Sequence, residues 1–236
     1  MSGASGNGWA PPRGAPEVEP RPAHPQPSFT VTGAHVPALA AAPTLAFDVA
    51  VADPSGRQVF TIALAVEIAI EPAERSYDAE TRARLTELLG DPERIGAPVR
   101  SLPWARVDVL VQPFREATTV AVPVPCGFDL EVAAANYVRS LADGEVPLQF
   151  HFGGSVYYGD GDGRLQIVQI SWEESCSYRL PVAVWQQLVD AFYPGRGWVP
   201  ATAATVERLR RFKLDQGLPS YDAALARLLD AGEAGR

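Results

Sequence analysis

Lysine is nearly missing from this chain. Lys213 is the only one among twenty basic residues, and the others are arginine, a bias that reads as codon composition before function. Acidic residues number 28, so the net charge is −8. That balance argues against a nucleic-acid binder, whose footprint is a basic face. Histidine is scarce as well: His24 and His35 lie in a proline-rich start, leaving His151 for the folded part. Cysteine appears twice, at Cys126 and Cys176. Neither has a second Cys or His at metal-ligand spacing. No run reaches the roughly 18 apolar residues of a membrane span. The best case, Val59–Ile70, is too short and carries Glu67. The start of the chain has no charged segment followed by an apolar one, so no secretory signal is read there. Together these shortages point to a soluble, cytoplasmic setting with reduced thiols and imply neither a metal nor a cofactor.

What is present is a core-forming composition, 47% hydrophobic over 236 residues, enough for one large domain or two small ones. The clearest pattern is Val59 to Glu71. Phe60, Ile62, Leu64, Val66, Ile68 and Ile70 fall on one face of an extended strand, and Thr61, Ala63, Ala65, Glu67, Ala69 and Glu71 on the other. Period-2 alternation of this length reads as a strand against a core. Burying each large side chain contributes roughly 1.5–3 kcal/mol. The other face is unusual. Ala63, Ala65 and Ala69 are small and apolar where a solvated face would carry polar side chains, so another layer, a helix or a second subunit, can approach closely.

Residues 1–43 hold nine of the 22 prolines, with Trp9 and Phe29 as their only aromatics. Such a segment cannot bury enough apolar area to order itself, and it reads as a disordered tail before a single domain at 44–236. Ala46–Val51 reads as a strand. The turn Asp53-Pro54-Ser55-Gly56 then folds the long strand back on it as a hairpin. A helix is expected over 76–89, capped by Asp78. Strands follow at 104–113 and 118–124, the latter at an edge because of Pro123 and Pro125. A helix over 129–141 leads to a strand at 146–152, where Gly153-Gly154 marks a bulge or close approach. A hairpin loop at 159–163 precedes a strand at 165–172, and helices are expected over 181–193, 202–213 and 220–229. The class is α+β, an antiparallel sheet packed with helices and ending in a three-helix segment.

Catalytic signals are thin. Asp160-x-Asp162 starts like a calcium loop, but Ser171 stands where the closing Glu belongs. Glu67 is either a buried acid or base, or the partner of an arginine across the sheet. A Cys–His pair of His151 with Cys126 or Cys176 has no local support. Arg208, Arg210, Arg211 and Lys213 form a basic patch that is either paired internally or receives an acidic partner. Trp185, Phe192, Tyr193 and Trp198 gather near a Pro-Gly turn, material for a core or an interface.

The segments VPCGFDLEVAAANYVRSLADGEVPLQFHFGGSVYY (122–158), LQIVQISWEESCSYRLPVAVW (165–185) and FYPGRGWV (192–199) resemble an actinobacterial family of domains of unknown function. Its members sit beside uptake nickel–iron hydrogenase genes. The order Val124-Pro125-Cys126, helix, Val146-Pro147-Leu148 is also similar to the SecB-type export chaperone, from which the C-terminal helices depart. Neither resemblance carries a catalytic motif. The expectation is a non-enzymatic accessory or assembly protein that binds a protein partner or itself, linked to a hydrogenase, with contacts at Ala63, Ala65, Glu67, Ala69, Arg208, Arg211 and Trp198. The alternatives are a peptide-binding chaperone and a small-molecule enzyme using His151, Glu67 or a cysteine.

Overall fold

The computed structural model describes residues 23–89, 101–126, 137–138, 140–195 and 201–234. The chain divides into two compact units, residues 1–192 and 193–236. In the first unit the strands are β1 (Ser28–His35), β2 (Thr44–Ala52), β3 (Gln58–Ile70), β4 (Leu102–Val111), β5 (Phe114–Arg115), β6 (Ala117–Pro125), β7 (Glu145–Gly159), β8 (Leu165–Gln169) and β9 (Ser175–Pro181). Its helices are α1 (Ala79–Leu89) and α2 (Val182–Phe192). The second unit holds α3 (Ala203–Asp215) and α4 (Tyr221–Ala234). The architecture is α+β, with every strand pairing antiparallel.

Two sheets share one core instead of the single sheet expected. The smaller has the order β1-β2-β6, and the larger the order β4-β3-β7-β8, with β9 also on β7 and β5 on β3. Their inner faces meet at Phe47, which is fully buried. Its ring lies 6.0 Å from Trp104 of β4, 5.1 Å from Phe150 of β7 and 6.1 Å from Tyr178 of β9, each contact edge to face. Aromatic pairs favour this arrangement because the edge of one ring is positive and the face of the next negative. Helix α2 adds Val182, Trp185 and Leu188 to the same core, with Trp185 against Trp104.

The long alternating segment is the middle of the larger sheet. Ile62, Leu64, Val66, Ile68 and Ile70 are buried as expected. At its start the parity slips. A bulge between Val59 and Thr61 puts Val59 in the core and leaves Phe60 44% exposed, because an extra residue reverses the alternation before it. The expected hairpin between the 46–51 strand and this one does not form. β2 pairs with β1 and β6, whereas β3 pairs with β4, β5 and β7. Asp53-Pro54-Ser55-Gly56 is instead a corner between the sheets. The edge position expected for the Pro123–Pro125 strand is found, since β6 borders the smaller sheet.

The proline-rich start is ordered further than its composition implies. Residues 28–35 form β1, with Phe29 and Val31 buried and the Phe29 ring stacked 4.6 Å from Phe152. Asp53 anchors this segment: its buried carboxylate accepts from the Gln26 amide at 2.9 Å and from the Ser55 hydroxyl. Composition averaged over forty residues hides a two-residue alternation and a distant anchor. The domain therefore begins before residue 44, and its last helices form a unit of their own. Of the expected helix at 129–141, Tyr137 and Val138 are described, helical and buried; most of the rest lies outside the described residues.

Helix α1 is capped as expected, the Thr81 amide donating to Asp78 Oδ1 at 2.6 Å. Just before it a buried polar chain forms. The Tyr77 hydroxyl donates to the Pro72 carbonyl at 2.7 Å. That leaves Tyr137 as the donor in the 2.6 Å contact between the two hydroxyls. Burial raises the pKa of both phenols, so both remain donors at neutral pH. Tyr77→Phe strands a carbonyl and a hydroxyl and is expected to cost about 2–3 kcal/mol, whereas Tyr137→Phe costs about 1 kcal/mol. Urea unfolding of the two variants checks that order; equal losses would contradict the direction of donation.

Candidate functional site

The outward face of the larger sheet gathers most of the expected contact residues. Thr61, Ala63, Ala65, Glu67 and Ala69 point away from the core on β3, and their register partners extend the face on both sides. Ala63 lies between Leu110 and Ser155, Ala65 between Asp108 and Gly153, and Glu67 between Arg106 and His151. The alanines are half-buried. One end of the face is apolar: Leu110 is 66% exposed, Leu165 59% and Ile167 56%, and the Phe60 ring lies beside Gly159. The other end is polar, with the Arg106 guanidinium 3.0 Å from Glu67 Oε1 and the Ser177 hydroxyl donating to Gln149 at 2.8 Å. Two open depressions mark the face. One of about 220 Å³ is bordered by Ala63, Ala65, Asp108 and Leu110. The other, of about 360 Å³, is bordered by Glu67, Ala69, Pro103, Arg106 and His151.

Two neighbouring glycines on β7 separate what the fold requires from what the face presents. Gly154 has φ of +126°, and a Cβ there would meet the Ala63 carbonyl oxygen at 2.0 Å. This is the close approach that the Gly153-Gly154 pair implied. Gly153, on the outward face beside Ala65, is different: a Cβ there would meet nothing within 4 Å. Among the described residues, none makes a packing demand that its smallness answers.

Glu67 has the arginine partner allowed for it. Both side chains are more than half exposed, and an exposed pair of this kind contributes about 0–1 kcal/mol. His151 and Glu67 are register partners and border the same depression, so these two candidates do converge. His151 and Cys176 do not. Cys176 pairs with the inward Phe150 while Ser175 pairs with His151, which puts imidazole and thiol on opposite faces. Burial pushes the Cys176 thiol up, with a smaller opposing effect from the Val31 backbone, as suits a core thiol. Cys126 is likewise a buried thiol outside any disulfide, and its Sγ–H donates to the Val124 carbonyl at 3.4 Å. Asp160 is occupied by its own loop: its carboxylate accepts from the Asp162 and Arg164 amides at 2.8 and 3.1 Å. These bonds, that from Arg164 first, hold it below the usual carboxylate range.

Arg208 and Arg211 lie on α3 in the second unit. Arg210 and Arg211 both pair with Glu207, at 2.8 and 3.1 Å, so the patch is partly neutralised within its own helix. Trp185 belongs to the core, and Trp198 lies outside the described residues. Leu110, Leu165 and Ile167 carry no signal of a site in the sequence, and Gly153 carries only that of a bulge or close approach. Alternation in β4 and β8 assigns them to a face, but only the register shows that it is the face of Ala63 and Ala65. Among the described residues no three His, Cys, Asp or Glu side chains gather as a metal site, and no helix is long and apolar enough to cross a membrane.

A two-sheet α+β body with a small-residue sheet face is the class that fold and site define. The chain belongs to the DUF6084 family of unknown function, whose family model matches residues 24–236. No curated protein matches it. Among solved structures it is similar to a selenomethionine-labelled β-glucosidase from Kluyveromyces marxianus, at 11% identity and a TM-score of 0.25. That match covers 66% of this chain and 15% of the enzyme's, a likeness from which no activity follows.

Proposed function

We propose that the protein is a non-enzymatic accessory protein that holds a partner protein on the outward face of its larger sheet, without a cofactor. The observation that carries this reading is Gly153: among the described residues it has room for a side chain, and it lies in a row with Ala65 and Asp108, next to the row of Ala63 and exposed Leu110. A flat track of alanine and glycine lets a second backbone approach closely. The apolar end offers burial and the Glu67–Arg106 end offers charge to fix orientation. The resemblance to proteins encoded beside uptake nickel–iron hydrogenases supports a partner among the subunits or assembly proteins of such an enzyme, in the cytoplasm.

The test separates binding from folding. Ala65→Arg and Gly153→Val add bulk on the outward side of the sheet, so neither is expected to lower the free energy of unfolding by more than about 0.5 kcal/mol. Proteins co-purifying with the tagged wild-type chain from its host, hydrogenase subunits among them, are expected to be lost from both variants. Retention of the same proteins by both would remove the reading.

One observation favours a second reading, a small-molecule site using Glu67 and His151: they converge in one depression. That reading expects a ligand whose binding is abolished by His151→Ala. A SecB-like holdase would draw on the exposed apolar end and would delay aggregation of unfolded clients, which a dedicated docking module does not.

A further inference from the structure

Among its described residues the second unit is a helical hairpin with almost no interior. Its joint is well made. Gly217 takes φ of +61°, and the Leu218 amide donates back to the Lys213 carbonyl at 2.9 Å, a Schellman ending. Ser220 caps α4 through the Ala223 amide, and the Lys213 ammonium lies over the Tyr221 ring. Yet Ala224 is the one buried residue in the two helices. Tyr221, Leu225, Leu228 and Leu229 stand at i, i+4, i+7 and i+8 on α4, the spacing of a core-facing stripe, and each is 43–66% exposed. Val206 and Leu214, two turns apart on α3, are 44% and 59% exposed. Helices of this length draw most of their stability from packing an amphipathic face.

We infer that this hairpin packs against the same hairpin of a second copy, forming a four-helix arrangement about a twofold axis. Charge selects the occupant. α3 carries Arg208, Arg210, Arg211 and Lys213 against Glu207 and Asp215, a net of +2. α4 carries Asp222, Asp230 and Glu233 against Arg227, a net of −2. A twofold pairing that sets α3 against α4 of the other copy brings unlike charges together along both seams, in the self-complementary manner of an isologous dimer. An acidic or a basic partner would match one helix and oppose the other. The area reaches the lower limit of what a specific interface needs. The six exposed side chains present on the order of 500 Å² per copy, so two hairpins would bury about 1,000 Å², the threshold of a specific interface.

Sedimentation equilibrium of the full chain tests the inference. The wild type is expected to dimerise at micromolar concentration. Leu225→Glu with Leu229→Glu is expected to raise the dissociation constant on the order of a hundredfold or more, with the unfolding transition of the two-sheet unit retained because both positions lie in the other unit. Arg208→Glu is expected to weaken the dimer about threefold to tenfold at low salt, with the difference shrinking at high salt. A wild type that stays monomeric would overturn the inference. So would a dimer that the leucine variant leaves intact, or one that only Ala65→Arg dissociates, which would place self-association on the sheet instead.

Discussion

Gly154→Ala is expected to lower the free energy of unfolding by about 3–5 kcal/mol, near the upper end for a single substitution. Two costs coincide. At φ of +126° the backbone sits where a side chain is rarely found, a strain of about 1–3 kcal/mol. The added Cβ would also stand 2.0 Å from the Ala63 carbonyl oxygen and 3.1 Å from its carbon. Those are backbone atoms of β3, so no rotamer change relieves the clash. The strand pair that must move is the longest among the described residues, running from Val59–Tyr158 to Ile70–Leu148. Gly153→Ala, one residue away, is the control. It meets open space and is expected to leave stability unchanged or to raise it by about 0.5–1 kcal/mol, the usual gain over glycine in a strand. Chemical denaturation of the two variants gives the contrast; a loss below about 1 kcal/mol for Gly154→Ala would contradict the close approach.

Phe47→Ala is the second large effect, expected at about 3–5 kcal/mol. The ring is fully buried and is the meeting point of three strands of the opposite sheet. Removing it opens a cavity between two sheets whose backbones are fixed by their own ladders, so little collapse can refill it. Phe60→Ala deletes the same ring from a 44% exposed position and is expected to cost far less. Equal losses at the two positions would mean that the sheets do not pack through Phe47.

Much of this was legible from the chain, and the parts that were not share a cause. Alternation over Ile62–Ile70 fixed a strand and its buried face, because side-chain parity is a local property. Pro123 and Pro125 marked an edge because a missing amide is local too. The double glycine signalled a close approach without saying which of the two required it. What stayed hidden is non-local. β2 and β3 look like a hairpin from the turn chemistry at 53–56, yet that turn crosses between sheets, a choice made by the partners of each strand. β1 was masked by the prolines around it, and its order depends on Asp53, far along the chain. The candidate face was half visible: Ala63, Ala65, Glu67 and Ala69 were on one strand to be read. Leu110, Gly153 and Ile167 joined them only through register. Of the two readings open for Glu67 the arginine partner is the one found, and only the β3–β4 pairing identifies it as Arg106. Arg208 and Arg211 belong to the second unit, where the more telling signal is the leucine stripe of α4.

Site-specific photo-cross-linking in the native host tests the central claim most directly. A photoreactive residue would replace Ala65 in the middle of the outward face of the larger sheet, or Ala121 on the exposed side of β6 in the smaller one. A discrete adduct with a partner protein from position 65 and none from position 121 is the predicted result. The same adduct from both positions, or from 121 alone, would contradict the assignment of the binding face.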